Sequence, residues 1–134
     1  MLDENSIVDA CCARLVSKGY DITSCCKTNE RGIDIDAIHP ETAVRVVVEA
    51  KGGTSTRTDS ARYGSPFSAT QIFDRVAKGV FTCVQLRAKW PDCTKTLVVL
   101  ALPESPGFRR EVATVEATLL QIGVQVWHFG QFDQ

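Results

Sequence analysis

The sequence lacks the segments that mark export or membrane anchoring, and it contains only two histidines. No apolar run approaches the roughly 20 residues of a membrane-spanning helix. The first five residues lack the basic start and apolar stretch of a secretory signal, so we expect a cytoplasmic protein. The two histidines belong to no recognisable Ser-His-Asp or Cys-His pattern. Catalysis by a serine or cysteine nucleophile is therefore not indicated.

Phosphate-binding and metal-binding motifs of the common kinds are also missing. The chain contains no P-loop and no G-x-G-x-x-G segment. It has six cysteines but no C-x-x-C spacing, which makes a zinc site a weak interpretation. We expect the cysteines to be reduced thiols that serve as small apolar residues. A redox role for the adjacent pairs at 11–12 and 25–26 is the less favoured alternative.

The composition is that of an ordinary globular domain. With 134 residues, 44% hydrophobic and 23% charged, the chain is expected to form a single domain over residues 1–134. The net charge of -1 does not indicate a nucleic-acid-binding protein, but residues 52–95 carry seven basic and three acidic side chains. This basic segment favours a surface that follows phosphates. The alternative is a chance excess on a solvated loop and helix.

Hydrophobic periodicity predicts an α/β fold. Spacings of three and four predict helices at residues 5–18, from 68 onward, and at 107–121, whereas alternating or continuous apolar runs predict strands at 20–26, 33–38, 43–51, 96–102 and 124–129. Turns are expected at 29–32 and 39–41. The order α-β-β-β-α-β-α-β predicts a mixed β-sheet flanked by helices.

Four charged residues near the middle of the chain are predicted to lie together. Side chains alternate between the two faces of a strand, so Asp34 and Asp36 share one face of their strand. Glu49 and Lys51 likewise share one face of the next strand, opposite its buried face. If the two strands form a hairpin, pairing apolar with apolar residues places Asp34 or Asp36 beside Glu49 and Lys51, and a slip by one residue would bury the acids.

A group of carboxylates needs a compensating charge. Neighbouring carboxylates repel each other, and one of them would keep its proton unless a cation is present. A single lysine does not neutralise three acids, whereas a hard divalent ion such as Mg²⁺ or Mn²⁺ takes carboxylates, waters and phosphate oxygens as ligands. The sequence therefore predicts a metal site. A surface hairpin with ordinary salt bridges is the alternative.

The tripeptide Gly-Ile-Asp that ends at Asp34, followed by Glu49-Ala50-Lys51, resembles the motif of the PD-(D/E)XK nuclease superfamily. The pattern is nearest to Mrr-type and Holliday-junction-resolvase-like small nucleases, and it covers residues 5 to about 102. The resemblance implies a restriction-endonuclease-like fold. It also implies that Asp34, Glu49 and the carbonyl of Ala50 bind Mg²⁺ or Mn²⁺, and that Lys51 positions the attacking water or stabilises charge on the phosphate.

Other acids and a glutamine could complete such a site. Asp36 is a candidate second ligand. The leading helix of the family often contributes a glutamate, for which Glu4 and Asp9 are the candidates here. Several members carry a glutamine on the helix after the motif, and Gln71 fits by position. Gln71 also occupies the capping-box position relative to Ser68, and the two roles are compatible.

The basic segment supplies candidate contacts to nucleic acid. The polar stretch at 52–66 is long for a loop in a compact domain, and such loops are usually functional or disordered. Arg57 and Arg62 within it are predicted to bind phosphate oxygens, with a merely mobile loop as the alternative. Arg75 and Lys78 would extend this surface along the following helix.

Two functions remain open at this level. The first is a Mg²⁺-dependent endonuclease that hydrolyses phosphodiester bonds, with DNA the expected substrate, acting as a homodimer because cutting two strands usually needs two sites. The second is a catalytically inactive nuclease-fold module that binds nucleic acid or protein.

Overall fold

Five strands form one mixed sheet in the computed structural model, which describes residues 1–26, 32–54 and 66–131. The elements are α1 (Glu4–Ser17), β1 (Asp21–Cys25), β2 (Ile35–Ile38), β3 (Arg45–Ala50), α2 (Ala69–Lys89), β4 (Thr96–Pro103), α3 (Pro106–Ala113), α4 (Glu116–Gln121) and β5 (Val124–Phe129). The strands lie side by side in sequence order. The β1–β2 and β2–β3 pairs are antiparallel, whereas β3–β4 and β4–β5 are parallel. The predicted α/β class, with a mixed sheet flanked by helices, is confirmed.

Side-chain caps and one break define the helices. Ser68 and Gln71 form the predicted capping box at the start of α2. The helix predicted at 107–121 is instead two helices, α3 and α4. The hydroxyl of Thr114 donates to the carbonyl oxygen of Glu111 at 2.9 Å, an alternative hydrogen bond of the kind that interrupts helices. No helix in the described ranges has both the length and the apolar character needed to cross a membrane.

The sheet separates two apolar layers. On one face, α1 packs against alternate residues of β2 and β3, among them Ile35 and Val48. On the other face, α2, α3 and α4 pack against Val47 and Leu100. β4 pairs with a strand on each side and is buried on both faces, as its continuous apolar run predicts.

The hairpin between β2 and β3 has the predicted register. Ile35 pairs with Val48, and Ala37 pairs with Val46. The predicted start of this strand at residue 33 is wrong, because β2 begins at Ile35 and Ile33 packs in the layer on the α2 side. Gly32, with φ of 118°, turns the chain just before this point.

Candidate acidic site at the end of strand β3

The motif residues lie where β3 ends. Continuing the β2–β3 register by one residue sets Asp34 opposite Glu49. A carboxylate oxygen of Asp34, Oδ2, accepts a hydrogen bond of 2.8 Å from the N–H of Ala50. The N–H of Lys51 donates to the carbonyl oxygen of Ala101 on β4 at 3.0 Å. Backbone hydrogen bonds and pairing with the strands on either side of β3 therefore fix the positions of the main chain at Asp34, Glu49 and Lys51.

The charged ends of Asp34, Glu49 and Lys51 meet in a largely enclosed place. Lys51 Nζ is 3.1 Å from Glu49 Oε1, and the two side chains are only 15% and 13% exposed. The Asp34 and Glu49 carboxyl groups are close enough to share a hydrogen bond. A β-carbon at Gly79 of α2 would lie 3.3 Å from Lys51 Cγ, so this glycine lets the helix approach the lysine stem closely.

A third acid, Glu4 in the first turn of α1, lies near enough for its charge to act on the site. A β-carbon on Gly52 would lie 2.1 Å from the backbone nitrogen of Glu4, so the start of α1 is packed directly on the chain that follows the motif. The charge of Glu4 acts on Glu49, and Asp34 and Lys51 act on Glu4. Of the two acids that the sequence offered on this helix, Glu4 is the one that joins the site. Asp9 is exposed further along α1.

The acids of the site are held in unfavourable surroundings for negative charge. Burial, followed by the charge of Asp34, raises the pKa of Glu49 to about 7 despite the neighbouring Lys51. Burial also raises the pKa of Asp34, although the Ala50 N–H, Lys51 and Glu49 oppose the rise. The pKa of Glu4 is raised, first by burial and then by Asp34. Three neighbouring carboxyl groups thus outnumber the two cations that act on them, Lys51 and Arg75.

The donor set fits a hard cation that keeps other ligands. Within the described ranges, no group of three or more His, Cys, Asp or Glu side chains is arranged to enclose a metal ion. Mg²⁺ is usually bound through one or two carboxylates together with waters and substrate phosphates rather than by an all-protein cage. The adjoining carboxylates of Asp34 and Glu49, whose negative charge is poorly compensated, could supply the one or two protein ligands that Mg²⁺ needs.

Asp36 is occupied elsewhere. Both of its carboxylate oxygens accept hydrogen bonds from the guanidinium group of Arg45, through Nε at 2.9 Å and through Nη2. The guanidinium carbon also lies 4.1 Å from the centre of the Trp90 ring. The acid that the sequence left as a possible second ligand is therefore held in a salt bridge, whereas Asp34 adjoins Glu49.

The three predicted residues of α2 have different surroundings. Gln71 Oε1 accepts a 2.8 Å hydrogen bond from the N–H of Ser68, so its side chain acts as the helix cap. The guanidinium of Arg75 lies 4.9 Å from the centre of the Phe67 ring, and its charge also lowers the pKa of Glu4. Arg75 is thus beside the acidic site. Lys78 is exposed one turn further on.

The polar stretch after the motif begins and ends next to the site. The N–H of Phe67 donates to the carbonyl oxygen of Gly53 at 3.0 Å, and Thr54 and Pro66 form an isolated antiparallel bridge. The N–H of Gly53 donates to the carbonyl oxygen of Leu2, just before α1. Arg57 and Arg62, the predicted phosphate contacts, lie outside the described residues, as does most of the predicted turn at 29–32.

Comparison with known proteins adds no relative, since no family model, curated protein or solved structure matches this chain. The functional argument therefore depends on the chemistry of the site itself. Two adjoining carboxyl groups can hold a cation, an ammonium group 3.1 Å from one of them can contact an anion or a water, and an arginine borders the same place. Sequence reasoning found the first three of these residues and the arginine. It left Glu4 unresolved.

Proposed function

We propose that this protein is a metal-dependent nuclease of the PD-(D/E)XK type that hydrolyses phosphodiester bonds, with DNA as its expected substrate. The observation that carries the proposal is the meeting of Asp34, Glu49 and Lys51 at the end of β3. The antiparallel hairpin that leads into a parallel strand pair, with α1 on one face of the sheet, agrees with the restriction-endonuclease-like arrangement.

Each residue has a definite role in this proposal. Asp34 and Glu49 would hold Mg²⁺ or Mn²⁺, with the Ala50 carbonyl as the further ligand that the family resemblance implies. When bound, the cation polarises a phosphoryl oxygen and lowers the pKa of a coordinated water. The Ala50 N–H fixes the orientation of the Asp34 carboxylate. The Lys51 ammonium group, held against Glu49, is placed to orient a water or a phosphate oxygen.

The surroundings suit a phosphodiester better than a small neutral substrate. Arg75 borders the acids, and the arginines of the 55–65 stretch belong to a segment whose flanking residues pair beside the site. Arginine is well matched to phosphate because it donates two parallel hydrogen bonds. These residues would position the backbone of a nucleic acid without reading its sequence.

The test compares cleavage of labelled DNA and RNA by the native chain and by Asp34→Asn, Glu49→Ala and Lys51→Ala, with Mg²⁺, with Mn²⁺ and with chelator. Asp36→Asn is the matched control, because it removes a similar charge from the same strand face without touching the site. We expect cleavage that needs the cation and is lost in the three site variants but kept in the control. Cleavage by the three site variants at the rate of the native chain would overturn the proposal.

A binding module without turnover is the second candidate. The observation that favours it is the lack, within the described ranges, of a group of three acidic, histidine or cysteine ligands around one point. Calorimetry separates the candidates. Retained nucleic-acid or protein binding together with no heat of Mg²⁺ or Mn²⁺ binding would favour the module, whereas cation binding that disappears in Glu49→Ala would favour the nuclease.

The outer side of α2 supports the homodimer that two-strand cleavage would use. Phe73, Phe81 and Val84 are 56%, 64% and 42% exposed, and their spacing of eight and three residues puts them on one side of the helix. Each phenylalanine has a surface of roughly 200 Å², so this side presents a few hundred Å² of apolar area. An interface of standard size buries about 800 Å² on each partner, just over half of it apolar.

We therefore expect a second copy of this chain to pack on the outer side of α2. Light scattering should give the mass of a dimer for the native chain and of a monomer for Phe81→Glu. Leu120→Glu, which places the same charge on an equally exposed apolar position of α4 (65% exposed), is the control that should stay dimeric. A monomeric native chain at working concentration would remove this part of the proposal.

A further inference from the structure

Two cysteines on different elements face each other away from the acidic site. Cys12 lies on α1 and Cys25 ends β1, and their Sγ atoms are 3.7 Å apart. Cys25 is exposed, and Cys12 is partly buried against the apolar layer between α1 and the sheet. The sulfurs of a disulfide are about 2.0 Å apart, so these two must approach by about 1.7 Å to form a bond.

A β-bulge aims Cys25 at α1. Ile22 pairs with Ala37 and Cys25 pairs with Ile35, with the register shifting between residues 22 and 24. Directly paired residues share a face of the sheet, and both Ala37 and Ile35 belong to the layer under α1. Without the extra residue Thr23, strict alternation would point Cys25 to the opposite face, so the bulge re-aims it toward Cys12.

The other described cysteines are less suited to the same chemistry. Cys11 is fully buried, and burial raises its pKa to about 12, which leaves little reactive thiolate. Cys83 is buried as well, and burial raises its pKa. Cys93 is exposed, but its Sγ is 3.7 Å from the carbonyl oxygen of Ile122. Cys26 adjoins Cys25 in sequence and is the nearest competitor.

We propose that Cys12 and Cys25 form an oxidation site, a dithiol that exchanges with a small-molecule disulfide to give a reversible bond between α1 and β1. With glutathione disulfide, the exposed Cys25 thiolate attacks one sulfur and expels one glutathione thiolate. The Cys12 thiolate then attacks the Cys25 sulfur and expels the second. The two cysteines lose two electrons and two protons, and glutathione disulfide gains them as two glutathione thiols.

The bond would join the helix whose first turn carries Glu4 to β1, an edge strand of the sheet. It would close a short loop, since the two residues are 13 positions apart. Closing a loop of this size stabilises a folded chain mainly by restricting the unfolded one. We expect the midpoint of thermal unfolding to rise by on the order of 5 to 10 °C on oxidation and to return on reduction.

The experiment treats the native full chain with glutathione disulfide, traps remaining thiols with iodoacetamide, and measures the intact mass and the tryptic map. We expect four alkylated thiols where the reduced chain has six, and a linked pair of peptides, residues 1–14 and 19–27. Fragmentation of that pair should place the bond at Cys12 and Cys25. Because this measurement uses the native chain, its result is valid even if a cysteine variant fails to fold.

Neighbouring cysteines provide matched controls. Cys12→Ser should retain glutathione on Cys25, whereas Cys11→Ala and Cys26→Ser should still form the internal bond. A native chain that keeps glutathione on Cys25 and forms no internal bond would overturn the proposal. So would a bond that fragmentation places at Cys11 or Cys26, or one that survives in Cys12→Ser.

Discussion

Replacing Glu49 with glutamine should remove a pH dependence of stability that originates in the acidic site. The pKa of Glu49 is raised from 4.5 to about 7, chiefly by burial and then by the charge of Asp34. The folded state therefore favours the protonated group. Its contribution to stability is fully present below pH 4.5 and is lost as the pH rises through about 7.

The size of this effect follows from the pKa difference. At about 1.4 kcal/mol for each pH unit, the interval from 4.5 to about 7 corresponds to about 3 kcal/mol of unfolding free energy. Glutamine keeps the shape of the side chain and can still accept a hydrogen bond from Lys51. We expect Glu49→Gln to be more stable than the native chain by about 2 kcal/mol at pH 8, and to differ little at pH 5.

Urea unfolding in chelator at a series of pH values measures this difference. Glu41→Gln is the control, because Glu41 is exposed in the turn between β2 and β3 and should leave the native pH profile unchanged. A Glu49→Gln curve that runs parallel to the native one from pH 5 to 8 would refute the reasoning, since the buried carboxyl would then carry no electrostatic cost.

Three further substitutions test the packing of the site. Gly79→Ala should destabilise the fold by about 1 to 2 kcal/mol in urea unfolding despite better helix propensity, because its β-carbon would lie 2.8 Å from Leu100 Cδ1. Gly52→Ala should cost more, about 3 kcal/mol or above, because its β-carbon would lie 2.1 Å from the backbone nitrogen of Glu4; a loss similar to that of Gly79→Ala would contradict this. Asp36→Asn should cost about 1 kcal/mol by breaking a partly exposed ion pair while leaving cleavage rates unchanged, and a large drop in cleavage would return Asp36 to the site.

The hairpin at the centre of the site could be predicted because burial leaves one acceptable register. Ile35 and Ala37 on one strand, and Val46 and Val48 on the next, must share a face. That requirement places the acids without knowledge of the rest of the fold. The break between α3 and α4 could not be predicted in the same way. The apolar spacing continues through it, and the break shows only in the backbone, where Val115 has a φ of -128° and its N–H donates to the carbonyl oxygen of Val112.

The sequence also contained a signal that Asp34, and not Asp36, belongs to the site. The alternation of side chains along one strand does not reveal this signal. Arg45 pairs with Ile38, two positions from Asp36, so the register makes Arg45 and Asp36 diagonal neighbours on one face. Long side chains reach such diagonal partners. An arginine at this position therefore indicates which of the two acids is neutralised by the sheet itself. The bulge in β1 that directs Cys25 toward α1 has no comparable signal.

Glu4 is the residue of the site that sequence spacing could least identify, because only tertiary packing brings α1 to the end of β3. The indirect signal is the pair Gly52-Gly53 directly after the motif, where the chain has no side chain to hold off another backbone. This approach adds a third carboxyl group to two that already share a poorly compensated place. A salt bridge kept for stability would gain nothing from that addition. Folds keep such electrostatic conflicts mainly where a function uses them, and a site that takes a divalent cation and a phosphate would relieve this one.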